Sequence, residues 1–485
     1  MPEMTCPLTA ASRRWPRQQA LVSVDGALTY HELARRVAAA ASSLREAGVT
    51  LDERVGILAE NCRAYPILLH ALWRLGAVTA PISPRFPREA AQRMLDQIGC
   101  RTLVTDERLP AGSMPQKIRS LDMQQLVTGR DVAADVEKNL PDFDPARSAT
   151  IIFTSGSTDE PKAVLHSYAG HYYSALGSNE NIILAPGDRW LISLPLWHVG
   201  GLSILFRTLL AGATAVIADA GEPLSEVIAR CRITHLSLVA TQLRRLLEQG
   251  LPRETAEQLK AVLVGGGSVP AHLVDEARER DWPICTTYGL TEMASQVTTT
   301  SPNDPSPSTL SSGRPLKHRE LQLAAAGEIM VRGRTLFKGY LAGASLDRAR
   351  DDDGWFHSGD IGRLDPEGRL IVTGRKDNMF ISGGENIYPE EIETVLATHP
   401  QIEQAVVVPI PDDEFGQRPV AFVRFGSDEE LSRDAILAHL DRLLPRFKLP
   451  VRLYRWPDDI TDRSLKLDRA ALAALAARPD SVQLN

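Results

Sequence analysis

The chain has 485 residues, 43% hydrophobic and 24% charged, a length and composition that fit two or three domains with a large core and exclude a small binding module or a disordered chain. Its 54 basic and 61 acidic residues leave a formal charge of −7, which argues against a nucleic-acid binder. Cys6, Cys62, Cys100, Cys231 and Cys285 show no paired spacing, so neither a disulfide framework nor a zinc site is suggested, and a reducing cytoplasm fits best.

Near the N-terminus Ser12-Arg13-Arg14-Trp15 resembles a twin-arginine export signal, but no apolar run follows. Alternation then begins: a strand over Arg54 to Ala59, a helix over Ala64 to Leu75, a strand over Ala77 to Pro81, a helix over Arg88 to Ile98 and a strand over Thr102 to Thr105. The rhythm returns with strands at Trp190 to Leu194, Ala213 to Ala218, His235 to Val239 and Ala261 to Val264, and helices at Ser225 to Cys231 and Gln242 to Gln249. Such alternation predicts an α/β fold with parallel sheets covered by helices. The uncharged run Trp190 to Phe206 is short for a membrane span and holds Pro195, His198 and Gly200-Gly201, so it reads as buried core.

From about Ser301 prolines and serines form a loop, and short glycine-punctuated strands predict a small β-rich subdomain over about 310–374. Beyond Gly374-Arg-Lys-Asp-Asn378 come a helix at Pro389 to Thr398, strands at Gln404 to Pro409 and Pro419 to Phe425, and a helix at Ser432 to Leu443. This α+β tail is long enough to be a domain of its own. The expected division is a 1–374 N-terminal domain of two α/β subdomains plus the β-rich part, and a smaller domain over 378–485.

The chemistry-bearing segments are individually ambiguous. Ile151 to Ala163 runs from an apolar strand into Thr154, Ser155, Gly156, Ser157, Thr158 and Lys162. Hydroxyls, turn amides and one ammonium suit a polyphosphate, although the spacing is not that of a Walker A loop and a polar surface turn would look similar. In Thr287-Tyr288-Gly289-Leu290-Thr291-Glu292 a hydroxyl beside a carboxylate could hold a phosphate oxygen and a hard cation, or simply cap a helix. Gly265-Gly266-Gly267 permits close approach of a flat ligand or a flexible turn. Asp360 in Gly354-Trp-Phe-His-Ser-Gly-Asp360 could accept hydrogen bonds from a ribose diol or serve a turn. A basic turn with Arg375 and Asp377, the segment Ser382-Gly383-Gly384 and Lys466 near the C-terminus complete the series.

Taken in this order, Thr154 to Lys162, Tyr288 to Glu292, Gly354 to Asp360, Gly374 to Glu393 and Lys466 resemble the adenylate-forming superfamily of acyl-CoA synthetases, nonribosomal adenylation domains and luciferases, over nearly the whole chain. Ser193 to Gly201, Thr241-Gln242-Leu243, Val264 to Pro270 and Ser312 to Leu316 are most similar to the o-succinylbenzoate–CoA ligases of menaquinone biosynthesis. The resemblance implies an AMP-forming acid–thiol ligase using ATP, Mg²⁺ and CoA on a small carboxylic acid, with no nucleic acid and no integral membrane segment; a homo-oligomer is left open. A ligase for another aryl or medium-chain acid, or a non-catalytic ATP-binding relative, stays as the alternative.

By the same resemblance Thr154 to Thr158 and Lys162 take the β- and γ-phosphates, Thr291 the α-phosphate, Glu292 the Mg²⁺, and Asp360 and Arg375 the ribose. Lys466 looks like the adenylation lysine. His198 matches a gate between acyl pocket and nucleotide, with a core histidine as its plainer reading. A hinge at 375–377, centred on Asp377, would rotate the C-terminal domain so that Ser382 to Gly384 replaces Lys466 for thioester formation. Thr241 and Gln242 are expected near the acid, and Arg207, the first cation after the uncharged run, is nominated for a second carboxylate, a surface arginine being equally compatible. Asp159 stands where the superfamily usually has glycine, and beside a triphosphate it is expected to weaken ATP binding.

Overall fold

The computed structural model describes residues 5–106, 118–128, 142–154, 161–219, 221–302, 304, 311–426, 431–457, 469–478 and 484. Two large sheets dominate. One has nine strands in the order Arg314–Pro315, Ser295–Thr299, Ile284–Leu290, Ala261–Val264, His235–Leu238, Arg189–Leu191, Thr214–Val216, Gln19–Ser23 and Gly26–Thr29. Neighbours run parallel from Ile284–Leu290 through Gln19–Ser23, and the flanking pairs are antiparallel.

The other has eight, ordered Ser345–Asp347, Gly339–Ala342, Lys162–Ser167, Ser148–Thr154, Val78–Ile82, Arg54–Leu58, Thr102–Thr105 and Arg119–Asp122. Its parallel part runs from Ser148–Thr154 to Arg119–Asp122. The central parallel strands are mostly apolar, as sheets buried on both faces require: Val55, Ile57, Ala80 and Leu103 are fully buried.

The helix Tyr30–Glu46 starts at a capping box in which the Glu32 amide donates to Thr29 Oγ1 and the Thr29 amide to Glu32 Oε2. The almost wholly buried helix Ala64–Leu75 stops at Gly76, whose φ of +71° gives the left-handed cap. Together with Val199–Ala211 these helices lie between the sheets. Their side chains form one cluster with Val55 and Ile57 of one sheet and Trp190 and Leu263 of the other. The two expected α/β subdomains share this core. The N-terminal helix Pro7–Arg14 buries Leu8 and Ala11 in that same cluster, so the Arg13-Arg14 pair belongs to a packed helix.

The predicted β-rich segment is real but divided. Arg319–Leu323, Glu328–Gly333, Phe356–Leu364 and Leu370–Arg375 make a four-stranded antiparallel sheet. Arg314–Pro315 instead edges the nine-stranded sheet, and Gly339–Ala342 with Ser345–Asp347 extends the eight-stranded one. Such long-range pairing carries no local signal, which is why a single subdomain over 310–374 was the natural expectation.

After the short turn Lys376–Asn378 comes the smaller unit. The hairpin Phe380–Ser382 and Glu385–Ile387 precedes a three-stranded sheet of Ile402–Asp412, Gly416–Phe425 and Arg452–Arg455, covered by Pro389–Leu396, Arg433–Asp441 and Arg469–Ala476. It has its own buried cluster of Phe380, Ile392, Leu396, Val407, Ile436 and Leu453. No helix among the described residues is long and apolar enough to cross a membrane.

Candidate active site

Parallel strands open a crevice beyond their carboxyl ends, where loops from neighbouring strands converge. Here the chain leaving Arg189–Leu191, His235–Leu238, Ala261–Val264 and Ile284–Leu290 supplies Ser193 to His198, Val239 to Gln242, Gly265 to Gly267 and Thr291 to Met293. Gln242 ties two of these loops: Nε2 donates to the Ser193 carbonyl at 3.1 Å and Oε1 accepts the Val239 amide at 3.1 Å. Thr241 is exposed beside it. Gly265 and Gly289 are fixed by packing, because an added Cβ would meet Thr287 Cγ2 at 2.5 Å in the first and the Ser295 carbonyl at 2.3 Å in the second. Gly266 has a φ of +85°, and Gly267 faces open space.

Thr291 and Glu292 sit in a one-turn 3₁₀ helix, Thr291–Met293, at the end of Ile284–Leu290. The Phe337 amide donates to the Glu292 carbonyl at 2.7 Å, and Tyr340 Oη donates to Glu292 Oε1 at 2.7 Å. Burial and the adjacent Glu292 charge push the Tyr340 hydroxyl far above its ordinary pKa, so it stays a donor. Lys162 Nζ lies 5.0 Å from the centre of the Tyr340 ring, a cation on an aromatic face. Thr154 and Lys162 are register partners on adjacent antiparallel strands. Ser155, Gly156, Ser157, Thr158 and Asp159 lie outside the described residues.

The third component comes from the four-stranded sheet. Asp360 and Arg375 are register partners, with Arg375 Nη1 at 3.2 Å from Asp360 Oδ1, while Tyr288 Oη donates to Oδ2 at 2.7 Å. Arg375 Nη2 also lies 3.7 Å from Asp377. Burial first, then the Asp360 carboxylate, hold the Tyr288 hydroxyl protonated. Tyr288 thus joins the nine-stranded sheet to the small one at the position where Asp360 emerges.

Arg207, nominated from sequence for a second carboxylate with a surface arginine as the equal alternative, is 1% exposed, so the surface alternative does not hold. Nη2 donates to Ser295 Oγ at 3.1 Å and Gln296 Oε1 at 2.8 Å, and the guanidinium stands 5.0 Å over the Trp190 ring. Among the described residues Nε and Nη1 have no hydrogen-bond partner and no carboxylate pairs with it. Burial and the nearby Arg319 push its pKa down to about 9. Arg319, by contrast, is spent on the Gln296, Lys317 and Ser174 carbonyls.

Half-buried His198 is the residue before the helix Val199–Ala211 that carries Arg207. Arg207 lies nine positions further on, roughly 13 Å along the helix axis.

Across the domain boundary Gly383 and Gly384 are the turn of the hairpin, with φ of +57° and +89°, and Ser382 pairs with Glu385. Positive φ at both central residues is the tight-hairpin geometry, so Ser382 to Gly384 is a strand end and turn. Asp377 lies in the 3₁₀ turn Lys376–Asn378. Lys466 lies outside the described residues.

A family described as AMP-binding enzyme matches residues 8–341, and its C-terminal domain matches 391–466. The chain belongs to the AMP-binding enzymes. Among curated members of this family, the 2-succinylbenzoate–CoA ligase of Bacillus pumilus is 34% identical over 96% of this chain and 97% of its own length, and that of Salmonella typhimurium is 36% identical over 92% of each. The o-succinylbenzoate CoA synthetase of Bacillus subtilis, solved with the acyl-adenylate intermediate OSB-AMP, superposes with a TM-score of 0.89 at 29% identity over 100% of both chains. The same enzyme solved with ATP and magnesium ion gives 0.86 at 30% identity, covering 96% of this chain and 98% of that one.

Within this AMP-binding enzyme, sequence reasoning passed over Tyr340, Ser295 and Gln296, which orient the nominated Glu292 and Arg207. Tyr340 had one readable trace: it sits on a short strand after Gly339 in a punctuated segment, but nothing local says that strand joins the sheet of Lys162.

Proposed function

We propose that the chain is an ATP-dependent 2-succinylbenzoate–CoA ligase. In the first step a carboxylate oxygen of the acid attacks the α-phosphorus of ATP, the bond to the bridging oxygen breaks, and pyrophosphate leaves with its electron pair. In the second the CoA thiolate adds to the acyl carbon of the adenylate and AMP departs, leaving the thioester. Positioning and charge stabilisation are the protein's main contribution to such chemistry.

Lys162, Thr154 and the loop residues Ser155 to Thr158 are assigned to the β- and γ-phosphates, and Thr291 to the α-phosphate. Glu292 suits Mg²⁺ because its oxygens are hard donors held in place by Tyr340. When bound, the ion neutralises the charge developing between the phosphates. Asp360, steadied by Tyr288 and Arg375, would accept the ribose hydroxyls, and Gly265 to Gly267 would admit the base.

Lys466 is assigned to adenylation, Asp377 to the hinge, and the Ser382 to Gly384 turn to pantetheine passage. His198, Thr241 and Gln242 are placed at the acyl side. The five cysteines are free, which suits the reducing cytoplasm as the compartment.

The observation that carries the identity of the acid is Arg207. A buried guanidinium bonded to Ser295 and Gln296, with two nitrogens lacking a partner among the described residues, calls for an anion from the substrate, and 2-succinylbenzoate has a second carboxylate to offer. Pyrophosphate release and thioester formation across a panel of acids test this. Fastest turnover is expected with 2-succinylbenzoate; better turnover of an aryl or medium-chain monoacid, or no release with any acid, overturns it.

A further inference from the structure

Glu328 opens the strand Glu328–Gly333 and is 8% exposed. Its carboxylate is divided between two parts of the molecule. Oε1 accepts the Gly359 amide at 3.2 Å, whereas Oε2 lies 3.4 Å from Lys376 Nζ and 3.5 Å from His357 Nδ1. Next to it, the Ile329 carbonyl accepts Ser358 Oγ at 2.7 Å, and Ser358 Oγ in turn accepts the Asp360 amide at 3.0 Å. The first two residues of this strand therefore hold the turn that presents Asp360, at a point where Gly359 adopts a φ of +72°.

Lys376 opens the turn that contains Asp377. One buried carboxylate thus grips both the Asp360 turn and the first residue of the inter-domain turn. Burial pushes the Glu328 carboxyl up, but the contacts from His357, Lys376 and the Gly359 amide outweigh it and keep the group charged. The two grips differ in exposure. The amide bond is within the sheet, while the Lys376 side chain is 61% exposed, so that its ion pair is weak and easily exchanged for water. A firm contact on the nucleotide side and a loose one on the hinge side suit a contact made and broken as the C-terminal domain rotates.

We propose that Glu328 is a positioning residue that couples the turn presenting Asp360 to the hinge through Lys376, so that the hold on the nucleotide and the stance of the C-terminal domain depend on the same carboxylate. The proposal rests on the assignment of Asp360 and Asp377 made above.

The test uses the full-length chain, with Glu328→Gln, Lys376→Met and the double variant assayed separately for acyl-adenylate formation and for thioester formation from supplied adenylate. Glu328→Gln is expected to raise KM for ATP about fivefold or more with kcat of adenylation within about twofold. Lys376→Met is expected to leave KM for ATP unchanged and to shift the ratio of the two half-reaction rates about threefold. On that ratio the double variant should fall short of the product of the single effects.

Thermal unfolding of each variant separates this from a structural role. If Glu328→Gln lowers both half-reactions in proportion to lost folded protein with KM for ATP unmoved, or if the two substitutions act additively, the proposal is overturned while the ligase reading stands. If the wild-type chain shows no ATP–pyrophosphate exchange with any acid, that reading falls and the proposal falls with it.

Discussion

Tyr288 Oη donates to Asp360 Oδ2 at 2.7 Å, a buried hydrogen bond that joins the last parallel strand of the nine-stranded sheet to the small antiparallel sheet. With Arg375 on the other oxygen, the carboxylate is held in one orientation. Tyr288→Phe removes a donor to a charged acceptor, worth about 1.5 kcal/mol or more. KM for ATP should rise about tenfold with kcat less affected, since the bond serves nucleotide binding in both ground and transition states. Steady-state kinetics with varied ATP checks this, and an unchanged KM would remove the role given to the pair.

Lys466→Ala should separate the two half-reactions. Acyl-adenylate formation is expected to vanish, while thioester formation from supplied 2-succinylbenzoyl-adenylate and CoA continues at close to the wild-type rate. A contact that strengthens only where the attacking carboxylate meets the α-phosphate lowers that barrier alone. Equal loss in both assays would count against the assignment.

Arg207→Ala is expected to raise KM for 2-succinylbenzoate about thirtyfold, because truncating one member of a buried charge pair costs about 2 kcal/mol or more. A benzoate-like monoacid should respond less than about threefold, as it never pairs with the guanidinium. Arg207→Lys retains a charge but loses the fork of donors and should fall between. Parallel losses for both acids would withdraw the nomination.

Glu393 and Arg469 give a stability prediction. Arg469 Nη2 lies 2.8 Å from Glu393 Oε2, and Glu393 Oε1 also accepts the Val407 amide at 2.7 Å, deep against the C-terminal sheet. Burial raises the Glu393 carboxyl pKa despite the arginine. Arg469→Met would leave that carboxylate without its counter-ion, at a cost of about 3 kcal/mol to the C-terminal domain. Denaturant unfolding followed by a probe in that domain measures the loss; a change under about 0.5 kcal/mol would show the pair to be dispensable.

Much of the crevice was legible because its residues come in short local phrases at strand ends. Apolar strands such as Ala261–Val264, followed by Gly265-Gly266-Gly267, announce themselves through periodicity and turn residues. Strands at Gln19–Ser23 and Gly26–Thr29 went unread because a short hairpin looks the same whether it ends up alone or on the edge of a distant sheet, here beside Thr214–Val216.

The sequence alone determined the α/β alternation, the smaller C-terminal unit and the set of polar side chains offered for chemistry, since each depends on neighbours in the chain. Tertiary structure alone decided that Tyr340 steadies Glu292, that Tyr288 and Arg375 grip Asp360 from two sheets, and that Arg207 is buried with no acidic partner among the described residues. The reason is physical: burial and hydrogen-bond geometry arise from contacts between residues far apart in sequence, as with Tyr288 and Asp360, and no local pattern encodes which distant strand will arrive beside a given side chain.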